Sequence, residues 1–243
     1  RFLAESIGIE SKLMFINYLK WVKDLFNSIK IPVKDFINNL VYMEKIFKYE
    51  LSGEDYKIVK EYIESGIGFL ESDESASETF LDARDSFFKY ASRYIEYLLE
   101  YKRNDANKFI LNLLDNDISP KDIYLKIFQP VQYEIGRLWQ SNKISVAVEH
   151  YCTAVTQMIM SQMYPFIFNN EKNGKIFLAT CASGELHEIG IRMVADLMEM
   201  DGWDTYYLGA NTPLESLMQL AEEKSPDLIG ISATMTFHLS KVK

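Results

Sequence analysis

A histidine, His187, lies in a short polar segment between two runs of different character. An apolar run ends at Thr180, and an amphipathic run extends from Ile191 to Met200, so the pattern predicts a strand, a loop and a helix. Open α/β sheets bind their ligands on the loops that leave the carboxyl ends of the strands. The predicted loop therefore places His187 where such a sheet binds a ligand.

Glu185 precedes His187 by two residues, and we expect its carboxylate to accept a hydrogen bond from one ring nitrogen. The other nitrogen then stays unprotonated and points outward, which is the arrangement of a metal-binding imidazole. Gly190 follows closely, and a residue without a side chain lets a bulky ligand approach the backbone. The alternative, a histidine on an ordinary surface loop, stays open on spacing alone.

Two further loops are predicted at the same edge of a sheet. Short apolar runs at 205–208 and 228–232 alternate with helical stretches at 188–200 and 214–224, which predicts βαβ units and a parallel sheet. The loops after the second and third strands supply small and hydroxyl-bearing residues, namely Gly209, Thr212, Ser232 and Thr234. We therefore expect a cleft for a polar, elongated group beside the His187 loop.

The rest of the chain is predicted to be helical, so the fold class is α + α/β. Residues 1–100 carry apolar and aromatic side chains at helical spacing and are expected to form an N-terminal helical domain of four or five helices, a candidate sensor domain. Residues 101–170 are predicted to form a four-helix bundle, with Ser119 and Ser145 capping helices. Residues 174–243 would hold the parallel sheet, which we expect to be incomplete because three parallel strands leave an uncovered edge.

Composition and charge argue against several functional classes. The formal net charge of −9 argues against nucleic-acid binding, which needs clustered lysine and arginine. The two cysteines, Cys152 and Cys181, have neither zinc-site nor C-x-x-C spacing, which favours a reduced, cytoplasmic protein. No stretch approaches the roughly 20 apolar residues of a membrane helix, so we expect no membrane association.

The three loops together resemble the cobalamin-binding Rossmann-like domain. The resemblance covers 175–239 and rests on Glu-x-His-x-x-Gly at 185–190, Gly-Trp-x-x-x-Tyr-Leu-Gly-Ala-Asn-x-Pro at 202–213 and Ile-Ser-Ala-Thr-Met at 231–235. It implies that His187 is the lower axial ligand of cobalt and that Glu185 orients the imidazole, in place of the family's usual aspartate. The further cofactor contacts that it implies are Leu186, Glu188, Ile189, Gly190, Gly209, Ala210, Asn211, Thr212, Pro213, Ser232 and Thr234. The displaced nucleotide tail of the cofactor would pass Ser232 and Thr234.

The preceding bundle is similar to the four-helix cap that covers the upper face of the corrin in that family. Trp139 is followed after nine residues by Glu149 and His150, and W-x9-E-H resembles the signature of light-sensing adenosylcobalamin proteins. The resemblance implies that Trp139 packs on the adenosyl group, that Glu149 contacts it and that His150 lies near the upper face. From the residues alone, a bundle-core tryptophan and a solvated helix face stay open as alternatives.

Two features depart from the transcriptional photoreceptors of this kind. Their N-terminal DNA-binding domain is not visible in the sequence, and the histidine that directly follows their tryptophan is replaced by Gln140. The N-terminal helices loosely resemble segments that precede cobalamin domains in bacterial signalling proteins. Some of these, the photocobilins, also bind a bilin, which without a cysteine in residues 1–150 would be held non-covalently here.

Three functions follow as hypotheses. The first is a light-responsive adenosylcobalamin photoreceptor, a sensor that is not an enzyme and that signals to an unidentified downstream domain or protein. The alternative is a methyl-carrying corrinoid protein of a methyltransferase system. The third is a helical and α/β protein that binds another ligand or none. Assembly into homo-oligomers is left open.

Overall fold

The computed structural model describes residues 1–72, 79–168 and 171–242. The helices of these ranges are α1 (Phe2–Gly8), α2 (Lys12–Ser28), α3 (Val33–Glu50), α4 (Gly53–Glu71), α5 (Phe88–Leu99), α6 (Arg103–Asp115), α7 (Pro120–Asp122), a π-helical segment (Ile123–Phe128), α8 (Gln129–Gln140), α9 (Val146–Gln162), α10 (Tyr164–Ile167), α11 (Ile189–Met200), α12 (Leu214–Lys224) and a 3-10 helix (Thr236–Lys241). The strands are β1 (Ile176–Cys181), β2 (Asp204–Gly209) and β3 (Leu228–Ser232). The predicted α + α/β fold class is confirmed. Among these described helices, none is long and apolar enough to cross a bilayer.

The chain separates into two compact units. The first contains α1–α4 together with Arg137–Ile144 from the end of α8 and the turn after it. The second consists of Thr79–Gly136 and Ser145–Val242, and it holds the other helices and the sheet. The functional-domain boundaries expected near residues 100 and 170 stay predictions.

Helices α1–α4 pack around an apolar core. Leu19 of α2 and Ile63 of α4 are fully buried, and Val22 and Leu40 are nearly so. Gly66 lies where α2 and α4 approach closely, since a Cβ added there would be 2.6 Å from Cδ1 of Leu19. The helical spacing of apolar residues in this region is therefore ordinary core packing.

Helices α5, α6 and α9 and the π-helical segment form the bundle of the second unit. Tyr94 of α5 is fully buried, and its hydroxyl lies 3.0 Å from Oγ1 of Thr156 on α9. Tyr94 shares its buried face with Ala91, Ile95 and Leu98, and this face packs on the bundle. The assignment of residues 1–100, which include α5, to an N-terminal helical domain stays a prediction.

Two serines cap helices of the second unit, and a proline accounts for an irregular turn before α8. Ser119 accepts a hydrogen bond from the N–H of Asp122, and Ser145 accepts one from the N–H of Val148, which confirms both predicted caps. The sequence also predicts a helix over 124–139 with a break or kink near Pro130, because proline has no N–H to donate to the preceding turn. The chain forms the π-helical segment just before it, so the predicted break is a widened turn that does not end the helix.

The sheet is parallel, with the strand order β2-β1-β3 and β1 in the centre. Thr180 pairs with Gly209 on one side, and Cys181 pairs with Ser232 on the other. The three strands therefore end at the same edge, as the alternation of strands and helices predicts. Helix α11 packs on β1 and β2, and its Ile191 and Ala195 form an apolar cluster with Phe177 and Ala179 of β1.

A buried hydrogen bond connects the bundle to α11. The hydroxyl of Tyr124 donates to Oδ2 of Asp196 over 2.7 Å, and Asp196 is only 5% exposed. The pKa of Asp196 is raised to about 6, mainly by burial and to a smaller extent by the charge of Glu199. The Tyr124 hydrogen bond and the charge of Arg192 lower the pKa but do not outweigh burial. The carboxylate is thus ionised at neutral pH in an unfavourable environment.

We expect Asp196→Asn to stabilise the protein at pH 7.5. A folded-state pKa of about 6, compared with about 4 in an unfolded chain, makes the ionised form cost on the order of 3 kcal/mol above pH 6. Asparagine keeps an oxygen for the Tyr124 hydroxyl without the charge. Urea unfolding should show a gain at pH 7.5 that shrinks as the pH falls towards 4. A gain that is the same at both pH values would contradict the raised pKa.

Candidate functional site

The loop between β1 and α11 holds His187 through a buried carboxylate. The N–H of Glu185 donates to the carbonyl of Ala182 over 2.9 Å, which closes a turn that directs the Glu185 side chain inward. Glu185 is fully buried, and its Oε1 lies 2.5 Å from Nδ1 of His187. The His187 side chain is itself 59% exposed. The hydrogen bond expected from the two-residue spacing is present, and it leaves Nε2 as the ring nitrogen available to a metal.

The Glu185 carboxylate accepts six hydrogen bonds at donor–acceptor distances from 2.5 to 3.1 Å. The donors are the backbone N–H groups of Leu186, His187, Thr234 and Met235 and the rings of His187 and His238. Burial alone would raise the pKa of Glu185, but the hydrogen bonds outweigh burial and hold the pKa well below its usual range. Since an ionised carboxylate only accepts, both imidazoles donate from Nδ1.

His238 was not among the residues predicted from the sequence. It lies in the 3-10 helix after β3, is 7% exposed and packs edge-on against the ring of Phe237. Its Nδ1 is 3.1 Å from Oε2 of Glu185. The available signal was its position just beyond the third loop, because all three loops meet at one edge of the sheet.

Glu188 connects the His187 loop to the loop after β2. Its Oε2 accepts from the N–H of Ala210 over 3.1 Å, and its Oε1 accepts from Nε2 of Gln157 on α9 over 3.3 Å. Gly209 has a φ of +70°, and a Cβ there would lie 3.1 Å from Oε2 of Glu188. A glycine therefore suits both the backbone conformation and the close approach.

The other predicted loop residues lie along the same edge. The carbonyl of Ser232, at the end of β3, accepts from the N–H of Ala182 over 2.8 Å. Oγ1 of Thr212 donates to the carbonyl of Leu208 over 3.3 Å. The remaining residues of this set are Leu186, Ile189, Gly190, Asn211 and Pro213. The structure thus brings the predicted residues of three separate loops to one edge, with His187 among them.

The donor chemistry and the open space of this edge fit a corrinoid. The imidazole of His187 is held by an ionised carboxylate, which fixes its tautomer and raises its basicity as a metal ligand. Leu186 is 70% exposed, and a Cβ added to Gly190 would meet no atom within 4 Å. The segment that carries His187 therefore also has an exposed apolar side chain and open space at Gly190.

Two of the predicted upper-face residues lie at the start of α9. Nδ1 of His150 is 2.5 Å from Oε2 of Glu149, and Oγ1 of Thr153 donates to Oε1 of Glu149 over 3.1 Å. The His150 side chain is 76% exposed, whereas that of Glu149 is 25% exposed. Glu149 is thus held by two neighbours on its own helix, and the His150 ring is presented to solvent.

Trp139 lies in the last turn of α8, in the first compact unit. It is 41% exposed, so it is not a bundle-core aromatic, which was the alternative for this residue. The side chain of the next residue, Gln140, donates to the backbone carbonyl of Trp21 on α2 over 3.1 Å. The residue that replaces the photoreceptors' histidine therefore makes a structural hydrogen bond.

Comparison with protein families defines the class. Two family models, each described as a B12 binding domain, match residues 90–164 and 175–243. The chain therefore belongs to the B12-binding domain family and carries a helical and an α/β domain of it. The helical match begins within α5, in agreement with the packing of α5 in the bundle.

Two of the relatives are dimethylamine corrinoid proteins by name. The chain is 24% identical over 139 residues to dimethylamine corrinoid protein 1 of Methanosarcina acetivorans, a match of 55% of this chain and 64% of that protein. It is 24% identical over 146 residues to the dimethylamine corrinoid protein of Methanosarcina barkeri, with 58% and 67% covered. The first match thus spans less than two thirds of the relative's length.

A solved structure supports the fold. The monomethylamine corrinoid protein of Methanosarcina barkeri superposes with a TM-score of 0.56 at 17% identity, covering 64% of this chain and 74% of that one. At this identity the likeness concerns the arrangement of helices and sheet. It agrees with a helical cap followed by a Rossmann-like domain.

Proposed function

We propose that this chain binds a corrinoid through His187 and carries it for methyl transfer by a partner enzyme. The observation that carries the proposal is the buried, ionised Glu185, which holds Nδ1 of His187 and leaves Nε2 to a metal. The names of the dimethylamine corrinoid relatives favour a carrier over a photoreceptor. When bound, the corrinoid supplies a cobalt ion that can accept and release a methyl group.

The residues of the chain would bind and orient this cofactor. His187 would supply a nitrogen ligand to the metal in place of the cofactor's own base, and Glu185 would keep its imidazole in one tautomer and one orientation. Ser232 and Thr234 stand at the sheet edge, where the displaced nucleotide tail would pass. Glu188 holds the loop after β2 against the His187 loop through the N–H of Ala210. In this proposal the methyltransferase chemistry belongs to the partner, so the chain itself is a carrier and not an enzyme.

A second candidate is the light-responsive adenosylcobalamin sensor. The W-x9-E-H spacing of Trp139, Glu149 and His150 favours it, together with the exposure of Trp139. This candidate would add a downstream signalling partner and, in the N-terminal helices, a non-covalent bilin. It would use the same lower ligand, His187, so the two candidates differ in what occupies the other face of the cofactor.

Affinities for two cofactor forms, measured with the apoprotein in the dark, separate the candidates. A carrier is expected to bind methylcobalamin and adenosylcobalamin within about threefold of each other, a difference below 1 kcal/mol. A sensor that packs Trp139 on the adenosyl group is expected to prefer adenosylcobalamin by more than about tenfold, or roughly 1.4 kcal/mol.

The tryptophan variants provide the control. Trp139→Ala should abolish a sensor's preference, whereas Trp21→Ala, which removes a similarly exposed tryptophan, should leave it unchanged. A preference for the adenosyl form that survives Trp139→Ala would contradict the sensor. No binding of either form by the folded protein would contradict both candidates.

A further inference from the structure

Helix α3 carries an exposed apolar stripe formed by Tyr42, Ile46 and Tyr49. These side chains are 65%, 59% and 88% exposed, and their spacing of four and three residues aligns them along one face of the helix. Large apolar side chains in such a row are typical of a surface that another molecule covers. We infer that the stripe is a dimer interface, in which α3 of one chain packs in parallel on α3 of a second copy. The inference is independent of the proposed corrinoid site.

The core of the first compact unit lies on the other side of α3. The α3 residues that belong to this core or pack against it are Val33, Phe36, Ile37, Leu40, Met43 and Phe47. Glu44 also faces the neighbouring helix, where it accepts a hydrogen bond from the hydroxyl of Tyr56 on α4. The fold therefore uses one side of α3 and leaves the stripe on the other side to solvent.

The net charge of α3 favours a second copy as the molecule that covers the stripe. The helix contains three lysines and three acidic residues, so its net charge is zero, whereas the whole chain carries −9. Contact through α3 thus adds no like-charge repulsion between two acidic chains. A strongly charged partner, in contrast, would find no excess of opposite charge on this helix.

The spacing of the stripe fits a short parallel coiled coil. With Ile46 at heptad position a, Tyr42 and Tyr49 occupy position d, and Asn39 occupies the preceding a. Asn39 is exposed, as a residue of the interface must be in a single chain. An asparagine at one a position specifies the register and the two-chain state of parallel coiled coils. The polar residue at the end of the stripe therefore has a role in the same pairing.

The charges beside the stripe select the parallel orientation. Lys45 is at position g, next to the stripe, and its Nζ lies 5.3 Å from the centre of the Tyr42 ring. Glu50 is at position e, and in a parallel pair position g of one helix faces position e of the other, five residues further on. Lys45 would therefore meet Glu50 of the second copy, twice in each dimer. An antiparallel pair centred on the stripe would instead bring together the flanks that carry Lys45 and Lys48.

The size of the stripe sets the strength of the dimer. Two tyrosines and an isoleucine, with the side chains beside them, offer about 400–500 Å² per chain, so the pair would bury about 900 Å² in total. This area is at the low end of specific interfaces, and we expect a dissociation constant on the order of 10–100 μM.

Sedimentation equilibrium of the full chain across the micromolar range tests the interface. The average mass should rise with concentration from the 28.3 kDa of one chain towards twice that value. Ile46→Lys sets two lysines against each other and should weaken association at least about tenfold, whereas Leu13→Lys, at a 68% exposed position on α2, should leave it unchanged. Circular dichroism checks folding, and Tyr49→Lys replaces Ile46→Lys if that variant does not fold.

Charge exchange between Lys45 and Glu50 tests the orientation. Lys45→Glu and Glu50→Lys should each weaken association by about fivefold, and the double variant should restore it. The single variants shift the net charge in opposite directions, so a general charge effect would change their association in opposite directions. In addition, Asn39→Cys should be cross-linked by a short bismaleimide and Leu13→Cys should not, since Cys152 and Cys181 are buried.

Three results would overturn the inference. The first is a chain that stays monomeric at every concentration, which would leave the stripe to another part of a longer chain or to a different protein. The second is a dimer that the lysine substitutions in the stripe leave intact, or that Leu13→Lys weakens equally. The third is a dimer in which the double charge variant does not restore association and Asn39→Cys is not cross-linked, which would contradict the parallel pairing.

Discussion

Replacing His187 with alanine is expected to remove the nitrogen ligand below the cobalt of bound cobalamin and to weaken binding by at least about tenfold. The reason is that even the outer partners of metal ligands cost about 10- to 100-fold when removed, and His187 would contact the metal itself. The exposed ring contributes little to the core, but its loss removes one of the six donors to the buried Glu185 carboxylate, so the apoprotein should lose stability on the order of 2 kcal/mol. Titration of the apoprotein with cobalamin, followed by visible absorption, measures both effects.

Chemical rescue provides the control for this variant. In His187→Gly, free imidazole can enter the space that the side chain leaves, and we expect millimolar imidazole to restore the nitrogen-ligated spectrum. The same addition should not change the wild-type spectrum. A His187→Gly protein whose spectrum equals that of the wild type before imidazole is added would contradict the assignment of His187.

Replacing Glu185 with glutamine is expected to destabilise the apoprotein on the order of 3 kcal/mol and to loosen His187. The amide keeps the size of the side chain, but its NH2 group would face donors. These are the N–H groups of Thr234 and Met235 and the ring of His238, or the equivalent donors at the other oxygen. Urea unfolding measures the loss, and Glu222→Gln, on the exposed side of α12, should change stability by less than about 0.5 kcal/mol.

The stability that Glu185→Gln loses is expected to become smaller at low pH. The pKa of Glu185 is lower in the folded protein than in the unfolded chain, where it is about 4.3. Its ionised form therefore contributes stability that is fully present above this value and is lost as the pH falls below it. The difference between the wild type and Glu185→Gln should shrink below about pH 4. A difference in unfolding free energy that is constant from pH 7 to pH 3.5 would show that the charge of Glu185 does not stabilise the site.

Local spacing made much of the site predictable. Glu185 and His187 are two residues apart, so their hydrogen bond depends on one turn, and the alternation of strands and helices fixes the edge at which the three loops meet. The bounds of α12 and β3 agree with the predicted stretches because a change in hydrophobic period marks them clearly.

Contacts between segments that are distant in the sequence were harder to predict. His238 is far from Glu185 along the chain, and only the folded third loop brings its ring to Oε2. Helical spacing marks the buried face of α5 but does not indicate which helices that face packs on. A proline can end a helix or be accommodated by a widened turn. Tertiary packing determines which of the two occurs, and before Pro130 it is the widened turn.

Electron paramagnetic resonance of the Co(II) cofactor on isotope-labelled protein tests the central claim most directly. The chain has three histidines, and the apoprotein can be produced with 15N-histidine and loaded with unlabelled cobalamin. If a protein imidazole is the lower ligand, the nitrogen splitting should change from the triplet of 14N to the doublet of 15N, and His187→Ala should remove the doublet. A triplet that persists in the labelled wild type would show that the cofactor keeps its own base, and it would contradict binding through His187.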